Sequence, residues 1–250
     1  MSSTARPATI LVVDDDADTC RNLRDILSDI GYTVDTAHNG SEALEKVRIQ
    51  PYDVALLDLK MPDMDGITLY REIRKLRSSA VALIVTAFAA TGTTEEAIAA
   101  GAWRVLPKPV DLRNLLGLVQ KAVDQPVVMV VDDDRDLCSN LWELLRDRGF
   151  RVAVAHDVRE AEDRLSDHSY RVILIDLRLP DSDGTSLFRL VRNYSPSART
   201  VVITGHRDEY DNLVEQVLTE GADAVCYKPF DIPSLLGLLE RLTNTSPEKP

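Results

Sequence analysis

The chain has 250 residues, 44% hydrophobic and 28% charged, with a formal net charge of −12. Its apolar runs, such as 127–131, fall far short of the roughly 20 residues that span a bilayer, and no apolar core precedes Ile10 to act as a secretory leader. Those two features predict a cytoplasmic protein without a membrane partner, and the negative balance, 14 Lys+Arg against 18 Asp+Glu in residues 1–125 and 15 against 23 in 126–250, predicts no direct nucleic-acid partner.

In chain order, the apolar run 10–13 ends in Asp14-Asp15-Asp16. Residues 17–30 place Cys20, Leu23, Ile26, Leu27 and Ile30 on one helical face, and Gly31 stops the helix; Leu137, Leu141, Leu144, Leu145 and Gly149 repeat this in the second half. A weaker run at 32–37 follows, then 54–57 ending in Asp58, 81–85 ending in Thr86, and 105–106 shortly before Lys108. Continuous apolar runs bounded by Asp or Thr suit strands buried on both faces of a parallel sheet. Helix-length segments separate them, so each half predicts a doubly wound α/β domain of five strand–helix pairs.

The order then repeats. VVDDDADTCRNL at 12–23 meets VVDDDRDLCSNL at 130–141, and LLDLKMPDMDG at 56–66 meets LIDLRLPDSDG at 174–184, both at a shift of 118. After two extra residues, LPKPVDLRNLLGLV at 106–119 meets YKPFDIPSLLGLL at 227–239. A period this long marks a duplicated domain rather than a solenoid. Residues 8–124 and 126–242 form the two copies. Only about 124–126 joins them, and the proline there predicts a limited range of orientations; residues 243–250 are expected to be disordered.

Ligands bind open parallel sheets beyond the carboxyl ends of their strands. There the second copy offers Asp132-Asp133-Asp134, Asp176, Thr204 and Lys228. Packed carboxylates repel unless a cation intervenes, and a hard divalent ion such as Mg²⁺ takes one or two carboxylates plus phosphate oxygens. A lysine and a hydroxyl opposite it suit phosphoryl transfer, with a carboxylate as the nucleophile. An Asp at a strand–helix junction is often only an N-cap, but here the whole set recurs: Asp15, Asp58 and Thr86 are spaced like Asp133, Asp176 and Thr204.

Both halves resemble the receiver domains of bacterial two-component response regulators. The motifs are the acids after strand one, D-L-x-[ML]-P-D-x-D-G after strand three, Thr after strand four and Lys-Pro after strand five. The resemblance implies tandem flavodoxin-like (βα)5 domains, each with a five-stranded parallel sheet. By position, Asp58 and Asp176 are implied phosphoacceptors. Asp15 and Asp133 are implied Mg²⁺ ligands, Asp14 and Asp132 act through water, and the carbonyls of Lys60 and Arg178 complete the site. Thr86, Thr204, Lys108 and Lys228 are the implied phosphoryl partners, and the bonds Lys108-Pro109 and Lys228-Pro229 resemble the family's cis peptides. The implied donor is a histidine kinase or histidine phosphotransfer protein, and the output is a downstream protein target; a homodimer is left open. Turnover on external substrates is not expected.

Two departures stand out. Val105 and Val225 occupy the position of a switch aromatic, and Lys60 and Phe88 differ from Arg178 and His206 near the phosphoryl group, which predicts different phosphate lifetimes. The alternatives are a constitutive scaffold, or the receiver part of a longer kinase or regulator. Residues 181–185, DSDGT, imitate a phosphatase loop but do not directly follow a strand, so they read as an entry to a helix. Cys20, Cys138 and Cys226 lack metal-ligand spacing and read as small buried hydrophobes. His38 and His156 read as surface or packing residues away from the acidic crevice, and Leu115, Leu116 and Leu118 as core.

Overall fold

A computed structural model describes residues 7–87, 91–180, 182–205 and 211–244. The chain divides into two compact units between Gln125 and Pro126. The first runs β1 (Thr9–Val13), α1 (Ala17–Asp29), β2 (Thr33–Ala37), α2 (Gly40–Ile49), β3 (Val54–Asp58), α3 (Gly66–Leu76), β4 (Val81–Thr86), α4 (Thr91–Ala99), β5 (Arg104–Pro107) and α5 (Leu112–Val123). Its sheet is parallel throughout, in the order β2-β1-β3-β4-β5.

Sequence pattern explains the layering. The central strands β1, β3 and β4 are buried at every residue, so their side chains must be apolar on both faces. Leu11, Val13, Ala55, Leu57, Ala82 and Ile84 join one core with residues of α2, α3 and α4, such as Val47, Leu69 and Ala97. The alternate set, Ile10, Val12, Val54, Leu56, Val81 and Leu83, packs with Leu27 of α1 and Leu115 and Val119 of α5. Leu116 and Leu118 are partly buried against that second core. The edge strand β2, TVDTA, buries only Ala37 fully.

The second unit runs β6 (Val127–Val131), α6 (Arg135–Asp147), β7 (Arg151–Ala155), α7 (Val158–Leu165), β8 (Val172–Asp176), β9 (Arg178–Leu179), β10 (Ser182–Asp183), α8 (Gly184–Tyr194), β11 (Arg199–Thr204), α9 (Asp211–Thr219), β12 (Ala224–Tyr227) and α10 (Ile232–Asn244). Its five-stranded sheet has the matching order β7-β6-β8-β11-β12. The antiparallel pair β9–β10 is an addition that the sequence pattern did not predict. The DSDGT stretch lies there, leading into α8, although Asp181 falls outside the described residues.

Three expectations need correction. Ile30 is 52% exposed, because α1 ends at Asp29 and Ile30 is its C-cap, where the chain turns through Gly31 at φ 99°. In α6, Trp142 is buried beside Leu141 and Leu145, while Leu137 and Leu144 are only partly buried. The C-terminal tail does not begin at residue 243: α10 carries on through Asn244, with the Thr243 hydroxyl donating to the Leu239 carbonyl at 2.9 Å. Residues 245–250 lie outside the described set. Among the described residues, no helix is long and apolar enough to cross a membrane.

Candidate functional site

The strand order of each sheet reverses at its first strand. In the first unit β1 pairs with β2 on one side and β3 on the other, and the crevice beyond their carboxyl ends is where such sheets bind ligands. Asp14 follows β1 directly and Asp58 is the last residue of β3; both are buried, while Asp15 is exposed. The Asp14 N–H donates to the Ala37 carbonyl at 3.2 Å, which holds the turn against β2. The third acid of each run serves as a cap. Asp16 accepts from the Asp18 N–H at 2.9 Å, and Asp134 accepts from Asp136 and Leu137, both at 3.0 Å.

Lys108, the residue after β5, closes the first crevice. Its Nζ lies 2.8 Å from Asp14 Oδ2 and 2.7 Å from Asp58 Oδ1. The second oxygen of Asp58 accepts from the Lys60 N–H at 3.0 Å. In the second unit Lys228 Nζ lies 2.6 Å from Asp132 Oδ2 and 2.7 Å from Asp176 Oδ2, and Asp176 Oδ1 accepts from the Arg178 N–H at 2.9 Å. Thr86 and Thr204 are buried at the ends of β4 and β11. Their carbonyls accept from the N–H groups of Lys108 and Lys228, each at 2.7 Å. Both Lys–Pro bonds are cis.

The electrostatics follow from burial and this pairing. Burial pushes the Asp58 carboxyl up from its ordinary range, against the hydrogen bond and charge of Lys108. Burial likewise raises Asp132, against Lys228. Burial also works against both ammonium groups, but two carboxylates around each outweigh it, and the pKa values of Lys108 and Lys228 rise. One carboxylate oxygen from each of Asp14, Asp15 and Asp58 lies within 4.8 Å of the other two, and Asp132, Asp133 and Asp176 offer the same arrangement. That spacing and the all-oxygen donor set fit a hard divalent cation.

Close approach of the backbone shapes the first site further. A Cβ on Gly66 would stand 2.3 Å from the Asp58 carbonyl oxygen, so only glycine lets α3 start against the strand end. Asp65 caps that helix, accepting from the N–H groups of Ile67 and Thr68. Val105 and Val225 are partly buried against the cores of their own units. Phe88 and His206 lie outside the described residues.

Two features escape the sequence pattern. The buried thiols of Cys20 and Cys138 donate to the carbonyls of Asp14 and Asp132, each at 3.3 Å. His156 is not remote from the acids as expected: its Nδ1 is 3.2 Å from the Asp132 carbonyl oxygen, while His38 is exposed. The cue was present in the six-residue spacing of acid and cysteine and in the paired histidines, but spacing alone does not reveal contact.

Comparison with known proteins agrees with this architecture. The response regulator receiver domain model matches residues 10–120 and again 128–240. A response regulator receiver protein of Anaeromyxobacter sp. strain Fw109-5 is 40% identical over 233 residues, covering 93% of this chain and 94% of that protein. The transcriptional regulatory protein ZraR of Escherichia coli K12 is 43% identical over 114 residues, but the match spans 46% of this chain and only 26% of ZraR. A CheY-like receiver domain structure from Methanospirillum hungatei JF-1 aligns at 34% identity with a TM-score of 0.46, covering 48% of this chain and 95% of that one. With a family model that matches both units and a relative matched along nearly its whole length, the chain belongs to the response regulator receiver domain family and carries two receivers in tandem.

Proposed function

We propose that Asp58 and Asp176 are the phosphoacceptors of the two receivers and that each accepts a phosphoryl group from a phosphohistidine of a histidine kinase or phosphotransfer protein. The observation that carries this reading is the ammonium held between two buried carboxylates in both units. A lysine so placed has two alternative anionic partners, the resting carboxylates or an incoming phosphoryl group. The acceptor oxygen attacks phosphorus as the P–N bond of the donor breaks. Lys108 or Lys228 then neutralises a phosphoryl oxygen, and the Thr86 or Thr204 hydroxyl donates to another.

Asp14, Asp15 and Asp58, and likewise Asp132, Asp133 and Asp176, would hold Mg²⁺, with the carbonyls of Lys60 and Arg178 completing the two sets. When bound, Mg²⁺ supplies positive charge that offsets the phosphoryl oxygens. The chemistry is self-modification rather than turnover, and the output is contact with a downstream protein. Constitutive scaffolding is the second reading, favoured by Val105 and Val225, which leave both units without an aromatic ring at the switch position.

Intact mass after incubation with Mg²⁺ and phosphoramidate tests the assignment on wild type, Asp58→Ala and Asp176→Ala. Two phosphoryl increments are expected, each lost with its own substitution. Increments that survive both substitutions would place the acceptors elsewhere, and one increment would leave the silent unit as scaffold.

A further inference from the structure

In the second unit the peptide group between Asp132 and Asp133 is held from behind by two side chains. Its oxygen, the Asp132 carbonyl, accepts from the buried Cys138 thiol at 3.3 Å and from Nδ1 of His156 at 3.2 Å. A carbonyl oxygen only accepts, so Nδ1 carries the proton whether the ring is neutral or charged. Two further bonds fix the same turn: the Asp132 N–H donates to the Ala155 carbonyl at 3.1 Å, and Asp132 Oδ1 accepts from the Asp134 N–H at 3.0 Å. The first unit repeats those two bonds, at 3.2 and 3.0 Å, and has the Cys20 thiol 3.3 Å from the Asp14 carbonyl oxygen. It lacks the ring. The His38 N–H goes to Glu42 at 2.8 Å as that of His156 goes to Glu160 at 3.0 Å, so the two histidines share a backbone place. Yet His38 is exposed and, among the described residues, makes no ring contact with Asp14.

The held peptide is the one from which Asp133 departs. Asp132 is buried and its carboxylate is tied to Lys228, whereas Asp133 is exposed. The place of the Asp133 carboxylate therefore follows the plane of that peptide, and a rotation of the plane swings it away from Asp132 and Asp176. Resting on the reading of these three acids as ion ligands, we propose that His156 and Cys138 are positioning residues for the second site. By pinning the Asp132–Asp133 peptide they keep Asp133 within reach of the ion and raise the affinity of the second receiver for a divalent cation. Losing a group that orients a ligand typically weakens metal binding by about 10–100-fold. A thiol is the weaker donor of the two, so His156 carries the larger part. The first receiver is built without this ring and depends on its thiol alone.

Mn²⁺ also takes oxygen ligands, and electron paramagnetic resonance reports its binding without any phosphorylation. In the full chain with Asp15→Ala, which takes a ligand from the first site, the remaining Mn²⁺ binding belongs to the second. There His156→Ala should weaken binding about tenfold, and Cys138→Ala by a few-fold, roughly the scale of one weak hydrogen bond. His156→Asn, whose amide sets an N–H where Nδ1 stands, and Cys138→Ser, with a hydroxyl donor, should recover most of the loss. With Mg²⁺ and phosphoramidate, the Mg²⁺ concentration that half-saturates Asp176 labelling should rise by the same factor, while the rate at saturating Mg²⁺ holds. His38→Ala, read with Asp133→Ala, should leave the first site unchanged. Unaltered binding in His156→Ala overturns the proposal, and so does His156→Asn as weak as His156→Ala, since ring volume and not the N–H would then matter. A fall in the saturating rate alone would move the effect to Asp176, and an equal loss from His38→Ala would detach it from the hydrogen bond; either overturns the positioning role. Should His156→Ala unfold the second unit in urea, Cys138→Ala against Cys138→Ser decides at the other donor. If Asp133→Ala added to Asp15→Ala leaves Mn²⁺ bound as before, the ligand reading itself fails and this proposal with it.

Discussion

The two receivers share their acid–lysine geometry and sheet order but differ in the polar ties at the edges of the sheet. In the first, the Tyr52 hydroxyl donates to Asp35 at 2.7 Å, and Gln50 Nε2 donates to both Asp35 and Tyr52. In the second, Ala153 and His168 replace Asp35 and Gln50, and the Tyr170 hydroxyl turns to the Arg164 carbonyl at 2.7 Å. The first unit ties Thr9 to Asp53 through the Thr9 N–H at 2.7 Å. The second fastens a different edge, where Asp223 takes the Thr200 N–H at 2.7 Å and Arg199 at 2.9 Å. Core packing and peripheral polar ties admit many solutions of similar energy. Two carboxylates meeting one ammonium at a strand-order reversal admit few. The comparison therefore separates residues set by chemistry from residues set by packing.

Removing the shared lysine should have the largest effect. Lys108→Met and Lys228→Met should each slow phosphorylation of their own Asp by about 100-fold or more, as loss of a charge-stabilising donor typically does, and leave the other receiver intact. Site-resolved mass spectrometry checks this, and equal loss at both sites would mean that the units do not act separately. Gly66→Ala comes next. The 2.3 Å clash with the Asp58 carbonyl should destabilise the first unit by about 1–3 kcal/mol or more, seen as an earlier urea transition of that unit. An unchanged transition would show that α3 can start farther from β3.

A smaller difference concerns the phosphorylated state. Lys60 and Arg178, two residues after Asp58 and Asp176, are both exposed and each gives an N–H to that carboxylate. Arginine presents a planar fork to phosphate oxygens, whereas lysine is a point charge. The acyl-phosphate lifetimes should therefore differ a few-fold between receivers, and Lys60→Arg should narrow the gap. Indistinguishable lifetimes of Asp58 and Asp176 phosphate would break the comparison here.

Much of this was legible before any coordinates. Runs such as ILVV and VALLD suit doubly buried strands, and the acids ending them had to converge once the strand order was known. Other features depended on geometry that one-dimensional spacing does not carry. Ile30 kept the helical period but fell at the cap, where the helix no longer presents a face. Trp142 took a core place that a leucine pattern does not name. The β9–β10 pair arises in a stretch whose counterpart, 59–65, is strandless. The reach of Lys108 to two carboxylates from a position 94 residues beyond Asp14 is a product of the fold alone.

The smallest expected effect lies in the thiols, where the two receivers again differ by degree. Burial pushes Cys20 up to about 11 and Cys138 up to about 12 from an ordinary 9.0. A folded pKa above the unfolded one means that folding favours the protonated thiol. Its contribution is complete below pH 9, declines as pH rises, and is lost through about 11 in the first unit and about 12 in the second. Between pH 8.5 and 10.5, wild type should therefore lose stability faster than Cys20→Val or Cys138→Val, in urea melts followed for each unit. At pH 8, iodoacetamide should reach Cys226, which is less deeply buried, well before the other two. Alkylation of Cys138 as fast as Cys226 in the native protein would mean that the turn below Asp132 opens readily. The hydrogen bond from Cys138 would then not hold that carbonyl in place.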